Sequence, residues 1–394
     1  MAPIRFPPTP IACTPGEVEV EREREKERER EKLEAVVREK LRVIAMPHAT
    51  LSSIVADDGD DDDEIVAASL DKLLEKTITV FDELVSKGEI LWQDSIPEVV
   101  DVGDGFKVQF RLTSALLPKP FSRDPFEQPK TPAPDSSPGI SDSDSDSTKP
   151  QPPPKHHNPF LPPSPTEIVA TLPPHHTLIV NKFSVLRPQL LLLTNTFERQ
   201  DHDLLDVDID MSWRVLQALE SSGNNALDCR GGGRFLAAYN CGLEAGCSQA
   251  HRHVQFVPIP PASSSSAAGA EFTLWPDQLP PTPTPTTSAI SIPFHYLHTP
   301  LPPSSSSLYE TYITLLTTAR TRHPEIRGYN LIFTTSWMVL VPRRLGEVDG
   351  VSANAFGMLG MVWVKDVEER RRWGSCGEGG RGVRGVLAEM GIAR

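Results

Sequence analysis

Tyr239-Asn240-Cys241-Gly242-Leu243-Glu244-Ala245-Gly246-Cys247-Ser248-Gln249-Ala250-His251-Arg252-His253-Val254-Gln255 runs directly into Phe256-Val257. An extended backbone from His251 onward sets His251, His253 and Gln255 on one face, with Val254 and Phe256 on the other. Two imidazoles and a carboxamide then share one surface while the apolar side chains enter a core. Phe235 to Tyr239 reads as a second strand, joined to the first through a glycine-bearing turn. The segment therefore predicts a strand pair that carries its chemistry at one end.

A neutral imidazole is a competent nucleophile toward phosphorus, and its ordinary pKa near ~6.5 keeps much of it neutral at cell pH. A carboxamide such as Gln255 can donate to a phosphoryl oxygen without carrying charge. Gly246 and Ser248 would add a backbone N–H and a hydroxyl to the same oxygens, a fixed donor set of the kind that stabilises a transferring phosphoryl group. The combination points to phosphoryl or nucleotidyl transfer. A His-x-His pair taken by itself fits a structural role or a metal pair as well.

Working outward, Leu70, Leu73, Leu74, Ile78, Phe81, Leu84 and Val85 recur at three- and four-residue spacing, which predicts a core-facing helix stopped at Gly88. Phe106 to Leu112 alternates as a half-buried strand, while Thr177–Val180 and Leu190–Leu193 have the length of buried strands. Acidic residues open a helix over Leu204–Leu219. Leu308 to Ala319 predicts another helix, and Tyr329–Thr334 with Trp337–Val341 predicts a hairpin around Thr335-Ser336. Met358–Val364 is one more apolar stretch, and a short helix closes the chain. Strand pairs and helices arranged this way give an α+β fold.

Other tracts contribute little to a core. Glu17–Lys32 is almost wholly Glu, Arg and Lys and reads as a solvated helix, and Asp57–Glu64 as an acidic loop. Pro118 to about Pro165 is too polar and proline-broken to offset its ordering entropy, with Pro125-Phe126 and Asn158-Pro159-Phe160-Leu161 as its only anchors. A second Pro/Ser-rich block, Pro260–Thr287, reads as a surface insertion.

Over 394 residues, 53 acids against 39 bases give a net charge of −14. That balance argues against a nucleic-acid binder held by phosphate neutralisation, while a small anionic ligand remains compatible. The five cysteines form no Cys-x-x-Cys pair, so neither a disulfide framework nor a structural zinc ribbon is expected. Cys241 and Cys247 read as small packing residues, His295 and His298 as packing or solvated side chains, and Trp337 with Met338 as core. With no signal-peptide pattern and no run of ~18 apolar residues, the expectation is a soluble cytoplasmic protein, the nucleus being open as well, with no membrane contact.

Asn240, Gly246, Ser248, His251, His253 and Gln255 at these spacings resemble the signature of the galactose-1-phosphate uridylyltransferase and ATP adenylyltransferase branch of the histidine-triad superfamily. The chain is most similar there to fungal ATP adenylyltransferases, the diadenosine tetraphosphate phosphorylases. Asn158-Pro159-Phe160, Asn181-Lys182-Phe183, Tyr329-Asn330-Leu331 and Trp337-Met338 follow in matching order. The insertions, and Ala250 where relatives often carry proline, depart from that pattern.

The resemblance implies a histidine-triad-like fold of two related halves with antiparallel sheets, flanking helices and long disordered insertions. The implied organisation is a charged extension with acidic loop over 1–65, an N-terminal domain over 66–260 with a disordered insertion at about 127–157, a Pro/Ser-rich insertion over 261–290, and a C-terminal domain over 291–394. It implies that His253 attacks the α-phosphorus to form a nucleotidyl-histidine, that His251 orients the strand and contacts the phosphate region, and that Gln255 holds a phosphate oxygen. Asn181, Lys182, Asn240, Gly246 and Ser248 would bind nucleotide and phosphate. Inorganic phosphate would then release ADP, with ATP as the first product, reversibly and in ping-pong fashion. A divalent cation, magnesium, would arrive on the substrate phosphates. The Pro-rich segments are candidate contacts for protein partners. The alternatives are a uridylyltransferase, a dinucleoside polyphosphate hydrolase, or a non-catalytic interaction protein.

Overall fold

The computed structural model describes residues 59–90, 92–113, 126, 158–221, 233–261, 271–280, 290–301, 307–376 and 381–394. The charged helix expected at 17–32 and the tract at 127–157 lie outside the described residues. In chain order the elements are α1 (Gly59–Leu70), α2 (Leu73–Ser86), β1 (Glu98–Asp101), β2 (Lys107–Leu112), β3 (Ile168–Leu172), β4 (His176–Val180), β5 (Leu190–Thr194), α3 (Asp206–Ser221), β6 (Phe235–Cys241) and β7 (His253–Pro258). They continue with β8 (Leu297–Pro300), α4 (Leu308–Arg322), β9 (Gly328–Phe333), β10 (Trp337–Arg343), β11 (Glu347–Val348), β12 (Val351–Ser352), α5 (Ala355–Met358), β13 (Met361–Val364), α6 (Val367–Ser375) and α7 (Gly382–Met390).

Eight strands form one antiparallel sheet in the order β3-β4-β5-β7-β6-β9-β10-β8. The succession β5–α3–β6–β7 returns as β8–α4–β9–β10, and the two copies meet where β6 pairs with β9. Asn240 stands opposite Asn330 at that seam, so the dipeptides Tyr239-Asn240 and Tyr329-Asn330 belong to equivalent strands. These are the two related halves expected from the sequence.

One expectation about the sheets needs correction. A smaller sheet, β1-β2-β13, pairs β13 with β2 in parallel. Residues 98–112, assigned above to the N-terminal half, are thereby built into a sheet with the C-terminal one.

One face of the large sheet is covered by α2, α3 and α4, where Phe81, Trp213, Leu216 and Tyr312 pack against Leu192, Val254 and Phe256. Val254 and Phe256 thus enter the core that two-residue alternation assigned them. On the opposite face a C-terminal cluster buries Leu236, Ala238, Val257, Val339 and Val341 beneath residues such as Trp275, Phe356 and Trp373. A separate patch on that side joins Ile179, Leu191 and Leu193 to Phe160 and Ile168. β5 is buried along its whole length because it is an interior strand with both faces covered, which is why it reads as an unbroken leucine run. His253 and Gln255 lie between the two clusters.

Two further expectations change. Of the acidic run expected as a loop, residues 59–64 fall within α1, whose Val66 enters the core, and 57–58 lie outside the described residues. The block expected as a surface insertion contains Phe272, Leu274 and Trp275, all buried, with the Trp275 indole N–H donating to the Met358 carbonyl at 3.0 Å. Proline and serine dominate its composition, but three apolar side chains are enough to dock a short turn. Among the described residues, no helix is long and apolar enough to cross a membrane.

Candidate active site

β7 begins at His253, and His251 just before it makes an isolated antiparallel bridge with Arg199. His253 is buried and its Nδ1 lies 2.9 Å from the His251 carbonyl oxygen. A carbonyl can only accept, so Nδ1 carries the hydrogen and, in the neutral ring, Nε2 carries the lone pair. The backbone thus selects the tautomer that a nucleophilic Nε2 requires.

His251 is also buried, with both ring nitrogens committed. Nε2–H donates to the Thr194 carbonyl at 2.9 Å, with the Thr194 hydroxyl at the same distance, and Nδ1 accepts from Asn158 Nδ2 at 2.9 Å. Burial, only partly opposed by the Thr194 and Thr196 carbonyls, lowers its pKa and keeps it neutral. Both His251 ring nitrogens are therefore bonded within the protein, between Asn158 and Thr194. Phe160 meets both imidazoles edge-on, with centroids 6.0 Å from His251 and 5.3 Å from His253. Phe126, the other expected anchor, has the Arg199 guanidinium 4.7 Å above its ring.

Gln255 is half-buried, and its Oε1 accepts from Gln189 Nε2 at 3.4 Å. That contact turns the Gln255 NH2 group toward other acceptors. Gln189 in turn receives the Asn181 N–H on its carbonyl at 2.8 Å. Asn181 is therefore one residue removed from Gln255, and its own Oδ1 accepts the Phe183 N–H at 3.0 Å. Lys182 is exposed beside Glu167, whose carboxyl is raised by burial against the opposing pull of the Lys182 ammonium.

Asn240 is tied into the seam between the halves. Its Oδ1 accepts from Asn330 Nδ2 at 2.8 Å and from the Ala355 N–H at 2.9 Å. Asn330 Oδ1 accepts from Arg343, a fully buried guanidinium whose pKa burial pushes down to about 9. Gly246, at φ +79°, closes the turn Leu243–Ala245, and a Cβ there would stand 2.8 Å from the Ala353 carbonyl. Its N–H donates to the Leu243 carbonyl at 2.8 Å, closing the turn with its own backbone. Ser248 is exposed, and among the described residues the N–H groups of Ser248 and Gln249 meet no acceptor.

Sequence reasoning missed Thr194, Gln189 and Gln200. The Gln200 side chain is fully buried: Oε1 accepts the His253 N–H at 2.7 Å, and Nε2 donates to the carbonyls of Asn240 and His253 at 3.1 and 3.2 Å. Nothing in Glu198-Arg199-Gln200-Asp201 marks one glutamine as internal. Behind the strand, Arg252 Nη1 reaches Asp208 at 3.2 Å and His176 Nε2 reaches the same carboxylate at 2.8 Å. Burial raises the Asp208 carboxyl, but His176, the Leu205 N–H and Arg252 outweigh it and hold the group below the usual range. Cys241 is buried, with its thiol pushed up to about 12, which suits the packing role expected for it.

Residues 140–273 match the Ap4A phosphorylase N-terminal domain, and residues 290–393 the ATP adenylyltransferase C-terminal domain. Diadenosine 5',5'''-P1,P4-tetraphosphate phosphorylase 2 of Saccharomyces cerevisiae is 29% identical over 219 residues, which cover 49% of this chain and 63% of the relative. Protein APA1 of the same yeast is 26% identical, covering 49% of this chain and 62% of the relative. The matched region thus spans somewhat under two thirds of either relative. The crystal structure of yeast Ap4A phosphorylase Apa2 in complex with Ap4A superposes with a TM-score of 0.59 at 21% identity, over 82% of this chain and 98% of that one. The Apa2 complex with AMP gives a TM-score of 0.58. These structures share the fold described here.

Proposed function

Because the chain belongs to the Ap4A phosphorylase family, carrying its N-terminal domain and the ATP adenylyltransferase C-terminal domain, we propose that it phosphorolyses diadenosine tetraphosphate to ATP and ADP, reversibly, in the cytoplasm. The observation that carries the reading is the His253 Nδ1–H donated to the His251 carbonyl, which leaves the lone pair on Nε2.

In the first step Nε2 attacks the α-phosphorus, an Nε2–P bond forms, and the bond to the bridging oxygen breaks with release of ATP. In the second, an oxygen of inorganic phosphate attacks the same phosphorus, the Nε2–P bond breaks, and ADP leaves. The Gln255 amide and the Ser248 and Gln249 N–H groups supply neutral donors for the charge that gathers on the phosphoryl oxygens. Lys182, at the end of the Asn181 turn, adds a point charge for outer phosphates. Ile179, Leu191 and Leu193 with Phe160 form an apolar wall suited to the nucleoside.

Among the described residues, the side chains around His253 are imidazoles and carboxamides, and no group of three or more carboxylates, imidazoles or thiols is placed to hold a metal ion. They do not fit a resident cation, and a magnesium ion would be held by the substrate's own phosphates.

The test is incubation with diadenosine tetraphosphate with and without phosphate. Equimolar ATP and ADP that require phosphate support the reading. ATP with AMP in the absence of phosphate would make the protein a hydrolase, and turnover of a uridine sugar nucleotide alone would make it a uridylyltransferase.

A further inference from the structure

In the β9–β10 hairpin, Asn330 stands opposite Val341 as an ordinary ladder pair. Asn330 is the counterpart of Asn240 across the seam, so Val341 occupies the position that His253 holds in the first half. The β6–β7 ladder stops earlier: its last pair is Ala238 with Gln255. Two residues further along, where Asn240 and His253 would exchange backbone hydrogen bonds, the Gln200 carboxamide lies between them.

We infer that Gln200 is the positioning residue that turns one of two equivalent strand pairs into a site. Its amide reproduces a peptide group: Oε1 takes the His253 N–H, and Nε2 supplies the His253 and Asn240 carbonyls. The His253 backbone is thus satisfied and fixed as in a sheet, while β6 is held one side chain away. The opened step is where the second half closes directly on Val341.

Gln200 is held in its turn. Its N–H donates to the Ala250 carbonyl at 2.8 Å, and its carbonyl accepts from the Tyr239 hydroxyl at 2.8 Å. An apolar replacement would leave a buried N–H and two carbonyls unmatched next to the reacting imidazole, and displacement of a reacting atom by ~1 Å costs on the order of 100-fold in rate.

This inference rests on the nucleotidyl-histidine reading and is tested beside it. Full-length wild type, Gln200→Met and Gln200→Glu are mixed with diadenosine tetraphosphate. Single-turnover formation of the adenylylated protein is followed by mass spectrometry across a pH series, with steady-state kcat and KM alongside. Gln200→Met should lose on the order of 100-fold in the adenylylation rate and in kcat, with KM little changed.

Gln200→Glu keeps both roles only while its carboxyl is protonated, because only then can it donate as well as accept. Its activity should approach wild type at the acid end and fall as the carboxyl ionises, on a limb the wild type lacks. The titratable groups around it are His253 and His251 on the β7 side, Tyr239 on β6, and Arg199, Asp201 and His202 on its own segment. All are shared with the wild type, so the difference between the two profiles isolates position 200.

A Gln200→Glu profile parallel to wild type, or a Gln200→Met rate within threefold of it, overturns the inference. Loss of folding in Gln200→Met leaves the decision to the pH limb of Gln200→Glu. A wild type that never forms the adduct overturns the proposed function instead.

Discussion

His253 Nδ1 donates to the carbonyl oxygen of His251, two residues back on the same strand path, at 2.9 Å. The ring tautomer is thus set by local backbone. Replacing His253 by Ala removes the proposed nucleophile without disturbing Gln200, which bonds only its backbone. Phosphorolysis should fall by about four orders of magnitude or more, as for removal of other covalent nucleophiles, and the adenylyl adduct should disappear from the mass spectrum.

His251 should act as a stability switch. Burial depresses its folded pKa, so the unfolded chain binds the proton more readily once pH drops below ~6.5, the ordinary histidine value. The stability that neutral His251 confers is complete above that pH and is lost progressively as pH falls toward the depressed folded pKa. Asn158 Nδ2 donates to the nitrogen that would be protonated, which opposes protonation further. Thermal melts between pH 5 and 8 should show the midpoint dropping on the acid side for wild type, with a shallower slope in His251→Asn. Asn158→Ala should cost about 1–3 kcal/mol by leaving a buried acceptor unmatched.

The sequence carried the site face but not its scaffold. His253 and Gln255 alternate along β7 with His251 just before it, and strand periodicity is local, so their spacing was legible. The roles of Asn240 and Gly246 were not, because each depends on partners about a hundred residues away: Asn330 and Ala355 for Asn240, Ala353 for Gly246. Gln200 was silent for the same reason, since a buried glutamine in a charged segment is defined by what it touches. The parallel β2–β13 pair joins residues some 250 apart, and the alternation legible in β2 does not name its partner.

Trp275 tests the corrected segment directly. Composition placed it in a solvent-facing insertion, whereas its indole is buried against Phe294 and Tyr296 and hydrogen-bonded to Met358. Trp275→Ala should destabilise the fold by about 3–5 kcal/mol, the cost of truncating a large buried aromatic, and denaturant unfolding measures it. A change below ~0.5 kcal/mol would return the segment to the surface, where substitutions have effects of that size.

Asp208 joins α3 to the strand that carries the histidines, since it meets Arg252 between them and His176 on β4. All three side chains are nearly sealed from solvent, so removing the carboxylate leaves a buried guanidinium with only the more distant Glu198 carboxylate at 3.8 Å. Asp208→Ala should cost about 3–5 kcal/mol, and adding Arg252→Met should recover part of that loss because an apolar pair leaves no unmatched charge. Because the Asp208 pKa is held low, its contribution is present above the ordinary aspartate value of ~3.9 and fades as pH falls through the folded value. Melts of the single and double variants against wild type at neutral pH decide the matter: a double variant no more stable than Asp208→Ala would mean that the cluster acts through shape alone.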